Sequence, residues 1–203
     1  MILIELLSSP EKTLSNPDID RRLNPYLGVA GLLLMTVADF LMMFRIGNVE
    51  GGNPCLWFII GGMLDLHFVK SLSDTGRWLL LFPVKIAGDI AIIFLSAWIG
   101  TRFFGADKKL VYRWFRVYCY ILMAIDVFLV CSMAPAALSG GSGRTLLVTN
   151  LLSYGVFAAN AVIFTNAYRC CFNLRFDQAF YGWFVPVIAV PFVIIATLLL
   201  ILK

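Results

Sequence analysis

Residues 79–101, LLLFPVKIAGDIAIIFLSAWIGT, decide the fold. Only Lys85 and Asp89 in this stretch carry charge. A continuous, mostly apolar run of about 20 residues is long enough to cross a bilayer as a helix. The apolar residues do not alternate, so a helix is expected rather than a barrel strand. In lipid, backbone polar groups must pair internally, and a helix does this within itself.

The same reading extends outward along the chain. Of the 203 residues, 61% are hydrophobic and 14% are charged. Mean hydropathy is +0.88. A soluble domain carries about 25% charged residues, so the expected solvent is lipid. Full spans are predicted at about 26–44, 79–101, 115–135, 146–168 and 180–202. The expected class is therefore an all-α integral membrane protein, a bundle of five transmembrane helices. Residues 1–25 read as a cytoplasmic interfacial segment and 26–203 as the transmembrane domain.

The segment 55–72 is too short in clean apolar length, because Asp65, His67 and Lys70 interrupt it. Runs of 10–14 apolar residues are more often re-entrant, interfacial or buried than spanning. If it did span, the alternative is six helices. Charge bias separates the two. With Lys85 left aside as intramembrane, five spans with the N-terminus inside put 10 Lys and Arg on the cytoplasmic side and 5 outside. Six spans give 7 inside and 8 outside. The positive-inside rule favours five, with the N-terminus cytoplasmic. The expected location is the bacterial inner membrane.

In the N-terminal segment, Ser8 is the expected N-cap of a capping box with Glu11, and Pro10 sits in the first turn. MILIELL lacks the basic start and small-residue cleavage site of a signal peptide. Trp78, Trp98, Tyr112, Trp114, Tyr168, Tyr181 and Trp183 lie near predicted span ends, where aromatic belts belong.

The residues that carry chemistry are the intramembrane polar ones. Asp39, Asp89 and Asp126 each sit in an apolar run, and a carboxylate at that depth costs roughly 3 kcal/mol or more unless protonated, paired or hydrated. One reading is a proton or cation path, and the other is hydrogen-bonded contacts between helices. Lys85 and Asp89 are four apart and can pair on one helix face. Pro83 is a candidate first residue of that helix, which would bring Lys85 near an interface. Convergence of the aspartates on Lys85 would signal electrostatic coupling. Thr149, Ser153 and Asn160 share a face of the fourth full span. With Gly155, Ala158, Ala159 and Ala161 they read first as helix packing, and second as a lined pathway. Asp65, His67 and Lys70 would be pathway contacts if 55–72 is re-entrant, and ordinary solvated groups if it is interfacial.

Lys108, Lys109, Arg113 and Arg116 form the densest basic cluster. It fits orientation in the membrane and contact with anionic lipid headgroups. The net charge of +4 is ascribed to such loops, and nucleic-acid binding is not expected. Membrane lipids are the expected partners, together with self-association through small-residue faces. The five cysteines have no metal-ligand spacing and His67 stands alone, so neither a metal nor a cofactor is expected. Catalytic signatures such as HExxH, GxSxG and a phosphate loop are missing, which points away from an enzyme.

Three stretches resemble the Yip1-domain family of small polytopic membrane proteins: IELLSSPEKTL near the start, FLSAWIGTRFFGADKKLVYRWFRVYCYILMAIDVF in the middle and TNAYRCCFNLRFDQAFYGWFVPVI near the end. The chain departs from that pattern at Gly105-Ala106, where a Gly-Gly pair is common, and at Met123-Ala124, where a proline is frequent. It also lacks the long soluble N-terminal region of eukaryotic members and so resembles the prokaryotic type. The resemblance implies five spans, a cytoplasmic N-terminus and a non-enzymatic role as membrane scaffold or organiser. The other functional expectation is a channel or secondary transporter for protons, cations or a small solute.

Overall fold

A computed structural model describes residues 2–16, 18–47, 73–139 and 143–201. Among them every regular element is a helix: α1 Ile2–Ser8, α2 Pro10–Leu14, α3 Ile19–Arg22, α4 Pro25–Gly47, α5 Asp74–Arg102, α6 Leu110–Leu138, α7 Gly143–Phe172 and α8 Phe176–Ile201. Four of these, in α5 to α8, are long and apolar enough to cross a membrane. That makes the chain a helical membrane protein. The helix α4 has 23 residues, and its described apolar stretch is the shorter Pro25–Ala38. Segment 55–72, with Asp65, His67 and Lys70, lies outside the described residues.

Local chemistry sets the helix ends. Asn24 accepts a hydrogen bond from the Tyr26 backbone N–H at 3.0 Å, and Pro25 fills the first position of α4, where its missing N–H costs nothing. Ser73 caps α5 by accepting from the Gly76 N–H at 3.2 Å. This helix therefore begins nine residues before Pro83, which lies inside it, and Lys85 is buried rather than interfacial. Gly105 takes φ +68° after α5, and the Ala106 N–H donates back to the Gly100 carbonyl at 3.1 Å. Asn173 does the same work after α7, with φ 53° and a 3.1 Å bond from the Leu174 N–H to the Arg169 carbonyl. At the N-terminus, Ser8 closes α1 and Ser9 precedes α2. The Ser8 hydroxyl donates to the Ile4 carbonyl at 2.7 Å, so the expected capping box does not form.

Helix α6 is the hub. It packs on α4, on α7 and on α5, while α8 lies against α5 and α7. Gly28 lets α4 approach α6: a Cβ there would sit 3.1 Å from the Tyr120 ring. Small residues at such contacts let helix backbones come close in lipid. The outward faces carry exposed Phe94, Trp98, Phe128, Leu151, Phe192 and Leu200, as a lipid-facing surface should.

Three of the aromatics expected in interfacial belts instead form the core. Trp114, Tyr168 and Trp183 are buried. Trp114 meets Tyr168 edge-on with centroids 4.9 Å apart, and Phe164 stacks on Trp183 at 5.2 Å. Ser96 of α5 ties this cluster together. Its Oγ accepts from Trp114 Nε1 at 2.8 Å, and its carbonyl accepts from the Tyr168 hydroxyl at 2.7 Å. A buried indole N–H usually finds such a partner, and two helices thereby lock to a third. Tyr112, Trp98 and Tyr181 are exposed, as belt residues would be.

Candidate functional site

Helices α4, α5 and α6 bring polar groups to one buried point. Lys85 and Asp89 are one turn apart on α5, and Lys85 Nζ donates to Asp89 Oδ2 at 3.2 Å. The same ammonium donates to Thr36 Oγ1 of α4 at 3.3 Å. It also lies 3.9 Å from Asp126 Oδ2 of α6. Lys85 is 1% exposed, Asp89 4% and Asp126 0%. Asp89 lies ten residues beyond Leu79 and 13 before Arg102, the ends of its apolar span. Asp126 lies 16 residues beyond Leu110 and 12 before Leu138. At about 1.5 Å per residue, each carboxylate sits roughly 15 Å or more of helix from either end.

The polar accounting of this centre is incomplete. Asp89 Oδ1 and both oxygens of Asp126 are buried and accept no hydrogen bond among the described residues. Buried carboxylate oxygens normally have partners, and a desolvated charge is costly without them. The described groups supply one ammonium for two carboxylates, so with all three ionised the centre holds one negative charge in excess.

Two of the three expected aspartates thus converge on Lys85. The side chain of Asp39 lies outside the described residues, and its backbone is three positions along α4 from Thr36. Asn160 is half-buried on α7 and does not join the described contacts of the centre. Thr149 is buried on α7, and its hydroxyl has no hydrogen-bond partner among the described residues, while Gly155, Ala158 and Ala159 face outward. Thr36 was not singled out from the sequence. A hydroxyl one turn before Asp39 in a run of Leu, Met and Val was the available signal.

The basic cluster divides. Lys108 and Lys109 are exposed in the loop before α6. Arg113 and Arg116 turn onto the N-terminal segment. Arg113 donates to the Leu14 carbonyl, and its Nε lies 3.6 Å from Asp20 Oδ1. Arg116 donates to the Asp20 carboxylate at 2.8 Å and to the Asp20 carbonyl. Glu5 accepts from Arg22 at 3.1 Å, and Glu11 accepts from Arg169 of α7 at 2.9 Å. Helices α1 to α3 are therefore strapped to the ends of α6 and α7, with Leu6, Leu14, Ile19 and Leu23 buried beneath them.

Compared with protein-family models, curated proteins and solved structures, the chain matches none.

Proposed function

We propose that this protein is a channel or secondary transporter that takes up and releases a proton or cation at the Lys85–Asp89–Asp126 centre. In this reading α4 is the fifth membrane span and the N-terminal segment lies on the cytoplasmic surface. One observation carries it: the Asp126 carboxylate is fully buried, lies 3.9 Å from an ammonium and accepts no hydrogen bond among the described residues. A carboxylate serving only to join helices would be expected to spend its oxygens on neighbouring hydroxyls and amides. Ionisable groups that face a bundle interior mark ion pathways by default.

The test is flux in proteoliposomes, with proton movement read by a pH-sensitive dye under an imposed potential or cation gradient. Wild-type protein should conduct, and Asp126→Asn and Asp89→Asn should be folded and silent. A folded wild type with no flux for protons or alkali cations overturns the reading.

A second reading, a Yip1-like membrane organiser, is favoured by the strapped N-terminal segment. Its exposed Ile4, beside the buried Leu6 and Leu14, makes it amphipathic in the membrane-surface sense. Reconstitution that changes vesicle size or shape, and loses this effect when residues 2–22 are removed, would support it. Self-association belongs to this reading and is measured by cross-linking in the same vesicles.

A further inference from the structure

We propose that the N-terminal segment, α1 to α3, binds anionic lipid headgroups through Lys12 and Arg21, so that it is clamped between the bundle on one side and a negatively charged leaflet on the other. Lipid binding of this kind holds under either functional reading, since it needs neither flux nor vesicle remodelling.

The depth of the segment selects a lipid. It lies beside the first turns of α6 rather than above them. Asp20 accepts from Arg116 at 2.8 Å, and Arg116 is six residues into the apolar span that begins at Leu110. At about 1.5 Å per residue that is roughly 9 Å along the helix. Glu11 accepts from Arg169 at 2.9 Å, three residues before the span of α7 ends at Phe172. The ring of Tyr112, exposed as a belt residue would be, lies 4.8 Å from the Arg116 guanidinium. Amphipathic helices on a bilayer seat their apolar face about 5–10 Å into the headgroup boundary. The segment is therefore level with the headgroups, with Leu6, Leu14, Ile19 and Leu23 turned onto the bundle.

Charge selects the headgroup, because the segment sorts its charges by side. Glu5, Glu11 and Asp20 each accept from an arginine, and Asp20 is shared between Arg113 and Arg116. Lys12 and Arg21 are exposed and join no ion pair among the described residues. Lys12 is two positions before the buried Leu14, and Arg21 is two positions after the buried Ile19. On a helix that spacing points to nearly opposite faces. The exposed Lys108 and Lys109 lie at the same end, before α6. Against these four cations stand the exposed Asp18 and Asp107. At this depth the partner that fits is a phosphodiester with net negative charge. A zwitterionic lipid offers its phosphate together with an ammonium and attracts the segment far less.

The experiment uses the full chain in nanodiscs of phosphatidylcholine, alone or with phosphatidylglycerol added. Hydrogen exchange of the amides of residues 2–22 is read by mass spectrometry. A basic residue near an anionic surface is worth roughly fivefold in such an equilibrium, so Lys12 and Arg21, offset in part by Asp18, should slow exchange about tenfold in the anionic bilayer. Added salt should shrink the difference. Lys12→Gln with Arg21→Gln should remove most of the slowing and leave exchange in phosphatidylcholine near that of wild type. Both positions are exposed, so the helices should stay intact by circular dichroism. Arg144→Gln, an exposed arginine at the other end of α7, should keep the full lipid dependence. Equal exchange of wild type in the two bilayers overturns the proposal, and so does a lipid dependence that survives Lys12→Gln with Arg21→Gln. Faster exchange in the anionic bilayer overturns it from the other side, since lipid phosphates would then be taking Arg113 and Arg116 away from Asp20.

Discussion

Lys85 and Asp126 reach each other across two helices, 3.9 Å apart, with each side chain 1% exposed. Removing the ammonium leaves two buried carboxylates without the charge they share. Lys85→Met should therefore destabilise the protein by about 3–5 kcal/mol, the cost of breaking a buried ion pair from one side. Adding Asp126→Asn should recover part of that loss, because contacting residues are not additive. Thermal unfolding in detergent micelles, with all three variants compared, measures both effects. Equal stability of Lys85→Met and wild type would mean that the centre carries no buried charge.

Ser96 is expected to matter more than its size suggests. Ser96→Ala removes the only described acceptor of Trp114 Nε1 and strands a buried donor, at a cost of about 1–3 kcal/mol. Trp114→Phe in the same background should add less than it does alone, since the acceptor of its N–H is already gone. A thermal double-mutant cycle reads the difference.

Two glycines hold open the space of one tyrosine. A Cβ at Gly182 would sit 2.7 Å from Tyr168 Cε1, and one at Gly100 would sit 2.7 Å from the Tyr168 hydroxyl oxygen. Each alanine substitution should cost about 1–3 kcal/mol by overpacking. Tyr168→Phe removes the oxygen that Gly100→Ala meets but leaves the ring edge that Gly182→Ala meets. The phenylalanine should therefore rescue the first substitution more than the second. Gly155→Ala should change stability by no more than about 0.5 kcal/mol. Midpoints of thermal unfolding decide the order.

The strap of α1 to α3 should open under charge removal. Arg113→Gln with Arg116→Gln deletes the contacts to Leu14 and Asp20. Partly exposed pairs of this kind are worth up to about 1 kcal/mol each, so opening should rise several-fold. Trypsin cleavage at Lys12, Arg21 or Arg22 reports it, with the longer helices intact by circular dichroism. High salt should move wild type part of the way towards the variant. Unchanged cleavage rates would show that the apolar contacts of Leu6 and Ile19 and the Glu11–Arg169 pair hold the segment without Arg113 and Arg116.

The long helices were legible because length and hydropathy are local properties. The Lys85–Asp89 pair was legible for the same reason, being one turn apart. Asp126 joining them was not, because it depends on how α6 faces α5, which no short-range spacing encodes. Pro83 misled in the other direction. A proline often starts a helix, yet Ser73 had the better cap, and α5 carries the proline inside. Trp114, Tyr168 and Trp183 looked like interfacial residues from their position at span ends. Ser96 bonds Trp114 and Tyr168, Gly100 and Gly182 leave room for Tyr168, and only the packed structure relates those positions. Arg113 and Arg116 sit in a basic run that reads as lipid-facing, but acidic and carbonyl partners some hundred residues earlier turn them inward.

That long separation has a consequence for biogenesis. Asp20 precedes Arg116 by 96 residues, and Glu11 precedes Arg169 by 158. At roughly 5–20 residues per second of synthesis, Asp20 waits about 5–20 s for its partner and Glu11 about 8–30 s. During that interval Leu6, Leu14 and Ile19 have no helix ends to cover. Either the bilayer surface or an insertion factor must shelter them, and the strap closes only after α7 has entered. Residues made before the bundle are thus among the last to reach their final places, and their docking reports that the bundle behind them is assembled.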